Sequence, residues 1–173
     1  MFEGDELVLG VDPGSTSVGL ALVRRAKGSG APSVEWAGTL HNPPAAGPGE
    51  RLLRIYRGVR EAIEKGRPGA LALEQLIWGR NTRSAMEVAR ASGAIILAAA
   101  EAGVQVEEYA PLEVKIAVTG VGNAAKPAVR RGLIRLVGVN AVPDDPDAAD
   151  AVAVAVCHLQ ESRMRRVARE AAR

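Results

Sequence analysis

"LVLGVDPGSTSVGLALV", residues 7–23, decides how the rest of the chain is read. One apolar run ends on Asp12, Pro13 and Gly14 interrupt it, and a second apolar run follows. The pattern predicts two strands, over 7–12 and 17–24, joined by a tight turn. The feature to explain is the carboxylate at the tip of the first strand. A charge in apolar surroundings is costly unless it is paired, hydrogen-bonded or bound to a cation.

Outward from this hairpin, "RRAKGSGAPS" reads as a turn and "VEWAGTL", 34–40, as a third strand that completes a meander. "HNPPAAGPGE" breaks all regular structure. From Arg51 the spacing of Leu52, Ile55, Tyr56, Val59 and Ile63 predicts a helix, stopped by "KGRPG" with Gly66 as its cap and Pro68 just beyond. "ALALE", 70–74, is a short buried strand ending on Glu74. A long helix is expected from about Asn81 to Ala102, apolar all round over 94–100 and therefore buried on more than one side. "VQVEEY" is a fifth strand, and "PLEVKIAVTG", "KPAVRRGLIRLVG" and "AADAVAVAVCHLQ" are three further helices. A meander feeding helix-linked strands predicts an α/β fold: a mixed five-stranded sheet, part antiparallel and part parallel, flanked by helices. The expected organisation is one domain over 1–160 and a basic tail over 161–173 that frays.

The 173 residues suit one domain with a real core. The single cysteine, Cys157, permits no internal disulfide, so a reducing, cytoplasmic setting is expected. The start of the chain carries Glu3, Asp5 and Glu6, unlike a secretory leader, and no stretch reaches the ~18 apolar residues of a membrane span. The formal net charge is only +2, but it is unevenly spread: four Asp lie between Asp144 and Asp150, and five Arg against two Glu lie in the last thirteen residues. Local acid within a mildly basic protein suits metal-assisted work on a polyanion.

Four acids sit at the ends of expected elements: Asp12 and Glu74 at strand tips, Asp147 and Asp150 on one face at the start of the last helix. Each has a plainer reading. Asp147 would serve as an N-cap, Asp150 as a partner of the helix dipole, Glu74 as a solvated strand end, and Asp12 as a turn initiator. Together they make a different case, since crowded carboxylates raise one another's pKa and divalent cations relieve this. All-oxygen ligands favour Mg²⁺ or Mn²⁺, and with His41 and His158 as the only histidines a zinc cluster is excluded. Two such cations about 4 Å apart clamp an in-line attack on phosphorus. In this reading the first strand is a rigid mount for a metal ligand, and Gly14 leaves room for a phosphate. His158 reads as structural, and Cys157 as buried filler.

"LGVDPGSTSVG", "LALEQ", "VKIAVTGVGNAAK" and "DAADAVAVAVCH", in this order from Leu7 to His158, resemble the RuvC family of Holliday junction resolvases. The resemblance implies a ribonuclease H-like fold, a homodimer, and Mg²⁺- or Mn²⁺-dependent nicking of opposed strands in a four-way DNA junction. It maps the family's four acids onto Asp12, Glu74, Asp147 and Asp150, and its two functional lysines onto Lys115 and Lys126. It also implies work beside the RuvA–RuvB branch-migration complex. One departure stands out. After "EQ" the family often places a stacking Phe, whereas this chain has Ile77 and then Trp78. Trp78 either offers the stacking face from a shifted position or packs against the following helix. Arg80, Asn81, Arg83, Arg130 and Arg131 are candidate backbone contacts. Two other functions compete: a junction-binding scaffold without catalysis, and an actin-type ATPase, whose fold also opens on a strand, an Asp and a hairpin but normally needs a longer chain.

Overall fold

The computed structural model describes residues 6–26, 30–76 and 82–171. Five strands, β1 (Glu6–Asp12), β2 (Ser17–Arg25), β3 (Ser33–His41), β4 (Ala70–Glu74) and β5 (Gln105–Tyr109), form one sheet in the order β3-β2-β1-β4-β5. β1, β2 and β3 pair antiparallel; β4 joins β1, and β5 joins β4, in parallel. The expected mixed sheet is therefore present, with its parallel part reached through helices. These are α1 (Pro48–Gly66), α2 (Thr82–Glu101), α3 (Pro111–Thr119), α4 (Lys126–Val137) and α5 (Pro146–Ala171).

Alternation along the strands divides the core in two. Leu7, Leu9 and Val11 of β1, Leu20 of β2, and Leu71 and Leu73 of β4 face α1 and α2. Val8 of β1, Ala21 of β2 and Ala72 of β4 face α3, α4 and α5. The first layer is filled by large aliphatic side chains. The second is thin because α5 presents Ala151, Ala153 and Ala155 among its valines, and small residues let a helix lie close to a sheet. A methyl group at Gly10 would overlap the Ala151 carbonyl oxygen, and one at Gly19 would overlap that of Asp147. Backbone thus takes the place of side chain at both glycines, which is what a glycine inside a strand often signals.

Three details differ from the sequence reading. α1 starts at Pro48 rather than Arg51, since proline's fixed φ suits a first turn and its missing N–H costs nothing there. Arg67, with φ 50°, is the left-handed C-cap, while Gly66 remains in the helix and leaves its side-chain space to Leu22. The last helix does not end near Gln160: α5 continues to Ala171 through the segment expected to fray. Glu, Arg, Met and Ala dominate that segment, and all are strong helix formers.

Candidate active site

One transverse row of the sheet organises the site. Thr39 of β3 pairs with Gly19 of β2, and Gly19 with Asp12 of β1. Val11 pairs with Leu73, so the next residues, Asp12 and Glu74, end adjacent parallel strands; Glu74 in turn pairs with Tyr109 of β5. By strand alternation all five face α5.

The start of α5 is drilled into this row. Asp145 is its N-cap: the carboxylate accepts hydrogen bonds from the backbone N–H of Asp147 (3.0 Å) and Ala148 (3.2 Å), and from the Thr39 hydroxyl (2.7 Å). These donors hold the Asp145 carboxyl below its usual range, the Thr39 hydroxyl most of all. The capping role considered for Asp147 therefore belongs to Asp145, which leaves the Asp147 carboxylate free of that duty. Gly19 admits the Asp147 backbone beside Asp12. Gly10, Gly19, Thr39 and Asp145 escaped the sequence reading. The two mid-strand glycines were the available signal.

The carboxylates interact strongly. Asp12 is pushed up from 3.8 to about 8, first by burial, then by the charges of Glu74, Asp150 and Asp147. Glu74 is raised by burial and by Asp150, and Asp150 by burial and then by Asp147. With a pKa near 8, Asp12 holds a proton at neutral pH. Asp150 forms an ion pair with Lys126 (3.7 Å), and both Lys126 and Lys115 lower the Glu74 and Asp150 pKa values. The structure thus brings together six of the sequence-derived candidates: Asp12, Glu74, Asp147, Asp150, Lys115 and Lys126. Trp78, Arg80 and Asn81 lie outside the described residues, as does the Arg83 side chain. Lys126 opens α4, where a cation opposes the helix dipole. Its attraction to Asp150 offsets that penalty.

Among the described residues, no three His, Cys, Asp or Glu side chains form a ready-made metal cage. The donor set nevertheless fits a hard divalent ion: oxygen atoms only, crowded enough that Asp12 holds a proton at neutral pH. A cation would replace that proton and the Lys126 contact. Gly14 does not keep space for a phosphate, because the position of its absent side chain is filled by the Ser17 carbonyl oxygen. The glycine serves the turn, which Asn42 holds through a hydrogen bond to the Ser15 carbonyl (2.9 Å).

Three turns further along α5, near its middle, His158 joins a second polar group. Its Nδ1 lies 2.9 Å from the Tyr109 hydroxyl and its Nε2 3.8 Å from Glu6. Arg25 donates to Glu6 (3.0 Å), to the Leu159 carbonyl and to Ser162. The structural reading of His158 agrees with this. Burial pushes the neighbouring Cys157 thiol up to about 12, which makes it unreactive.

The family model "Crossover junction endodeoxyribonuclease RuvC" matches residues 8–158. A relative of that description from Moorella thermoacetica is 42% identical over 96% of this chain and 98% of its own. One from Rubrobacter xylanophilus is 40% identical over 92% and 88%. Among solved structures, Thermus thermophilus RuvC in complex with Holliday junction substrate superposes with a TM-score of 0.86 at 36% identity, covering 92% of this chain and 96% of that one. The match spans nearly the whole of the described sheet and helices, and the chain belongs to the RuvC family of crossover junction endodeoxyribonucleases.

Proposed function

We propose that this chain resolves four-way DNA junctions by nicking opposed strands, with Asp12, Glu74, Asp147 and Asp150 as ligands of two Mg²⁺ or Mn²⁺ ions. The convergence of these acids on one row of the sheet, with Asp12 raised to about 8, carries the reading. Bound divalent ions supply an activated water and neutralise charge on the phosphate oxygens.

The chain's own groups do the rest. β1 and β4 hold Asp12 and Glu74 at adjacent strand ends, and a bound cation would displace the proton that Asp12 holds. Lys126, highly exposed, is released from Asp150 to meet a DNA phosphate as a point charge, and Lys115 approaches from α3. Trp78 is the proposed stacking residue for an opened base, with Arg80 and Asn81 beside it as DNA contacts.

The active form proposed is a homodimer. α2 buries Ala91, Ile95, Ala98 and Ala99 against the sheet, while Met86, Ile96 and Leu97 are exposed and Gly93 faces open space. A monomer does not explain that second apolar face. A two-fold dimer would place two equivalent sites on a substrate that is itself roughly two-fold. The proposed setting is the cytoplasm, beside the RuvA–RuvB complex, as the family resemblance implies.

The deciding experiment is incubation with a synthetic four-way junction and a metal series. Paired symmetric nicks that need Mg²⁺ or Mn²⁺ are expected. Binding with no cleavage under any divalent metal would restore the scaffold reading.

A further inference from the structure

The basic residues of α4 do not share one task. Lys126 faces Asp150. Arg130 donates to the Pro143 carbonyl (2.9 Å) and to Asp144 (3.0 Å), which ties α4 to the loop before α5. Arg131 and Arg135 have no hydrogen-bond or ion-pair partner among the described residues, and both are exposed.

Arg131 and Arg135 lie at i and i+4, on one strip of the helix about 6 Å apart along the axis. They line one side of an open groove of about 620 Å³. Thr119, Val121 and Ala124 form the opposite wall, and no acidic side chain lines the groove. Like charges at this spacing repel, and arginine in the last turn gains from the helix dipole only at Arg135. Nothing within the described fold rewards Arg131. The pair is also turned well away from Lys126 around the helix, since five residues advance the helix by about 140° beyond a full turn. It cannot serve the phosphate that Lys126 meets.

We propose that this groove is a second seat for DNA backbone, engaging phosphates of a segment of the junction away from the bond that is cut. The inference rests on the junction-resolving function above. Its chemistry is phosphate recognition by unpaired arginines, which present planar donor forks to phosphate oxygens. The contact carries affinity and not chemistry, so it separates from the carboxylate site in a binding experiment.

The test is the double variant Arg131→Gln/Arg135→Gln in the full-length protein, with a fluorescent four-way junction titrated at several salt concentrations in Ca²⁺. Removing two phosphate contacts should lower the slope of log affinity against log salt by roughly 1.5–2, and weaken binding about tenfold near 100 mM salt. Single-turnover cleavage at saturating enzyme should stay within about twofold of wild type. Arg131→Lys/Arg135→Lys should restore the slope, and Arg60→Gln, an arginine of α1 already paired with Glu64, should leave it unchanged. An unchanged slope for the double Gln variant, or a slope that the Lys pair fails to restore in folded protein, overturns the proposal. If wild type neither binds nor cuts the junction, the functional reading fails first, and the two failures are told apart.

Discussion

The first turn of α5 and its middle carry two polar clusters that answer burial in opposite ways. Around His158, each group meets a complementary one: Tyr109 to the ring, Glu6 to Arg25, and Arg25 to the Leu159 carbonyl and Ser162. Around Asp150, four acids share one small region with two lysines at its edge, and burial raises three of the acids. The first cluster is compensated within the chain and stabilises it. The second is left short of positive charge, a shortage that an external cation removes. One helix therefore has a middle built for the fold and a first turn built at the expense of the fold.

The largest expected effect falls on the uncompensated cluster. Asp12→Asn or Glu74→Gln should lower metal-dependent junction cleavage by roughly 10³-fold or more while binding stays within a few-fold. A gel assay with a mobility-shift control checks this. Loss of binding in proportion would mean that the acids act structurally and that the contrast between the two clusters is false.

At the compensated cluster, Arg25→Ala should cost about 1–2 kcal/mol in denaturant unfolding, because Glu6, the Leu159 carbonyl and Ser162 each lose a charged donor. The single-turnover rate of the folded fraction should remain near wild type. A large rate loss without loss of stability would assign that cluster to catalysis.

Gly19→Ala tests the coupling between them. The new methyl must displace the Asp147 carbonyl, and with it the first turn of α5. A 10- to 100-fold fall in cleavage is expected, since ångström-scale misplacement of catalytic groups has that effect. Much of it should return at higher metal concentration if the ligands are displaced but intact.

The smallest effect is a pH dependence. In the folded, metal-free protein Asp12 binds its proton up to about pH 8, whereas in the unfolded chain it releases it near 3.8. Between these values the folded state holds the extra proton, so the contribution of Asp12 to stability is fully present below about pH 4 and is lost as pH rises towards 8. About 1–2 kcal/mol is expected from this group after allowing for solvent. Asp12→Asn should flatten that slope in thermal melts, and saturating Mg²⁺ should do the same for wild type. A slope identical in the Asn variant would remove Asp12 as the frustrated group.

The strands and helices were legible because β1, β2 and β4 carry dense apolar runs and the helices repeat at helical spacing. The acids were legible because an Asp after "LVLGV" and a Glu after "LAL" break such runs. What sequence alone hid was long-range. Nothing local to Asp145 shows that Thr39, over a hundred residues earlier, will donate to it, and so the cap was assigned two residues late. The roles of Gly10 and Gly19 depend on how closely α5 approaches the sheet, which no window of sequence contains. Arg130 and Arg131 are adjacent and alike as letters; only the loop at Pro143 and Asp144 separates an internal tie from an open contact.

The contact at Gly19 also limits how this enzyme can be hardened against heat. Stiffening a chain by adding β-carbons at glycines is a common route to thermal resistance. Here the two strand positions nearest the chemistry are closed to it, because peptide groups of α5 already fill the required space. A heat-resistant version must find its rigidity in peripheral loops such as residues 42–47, where Gly47 has open surroundings.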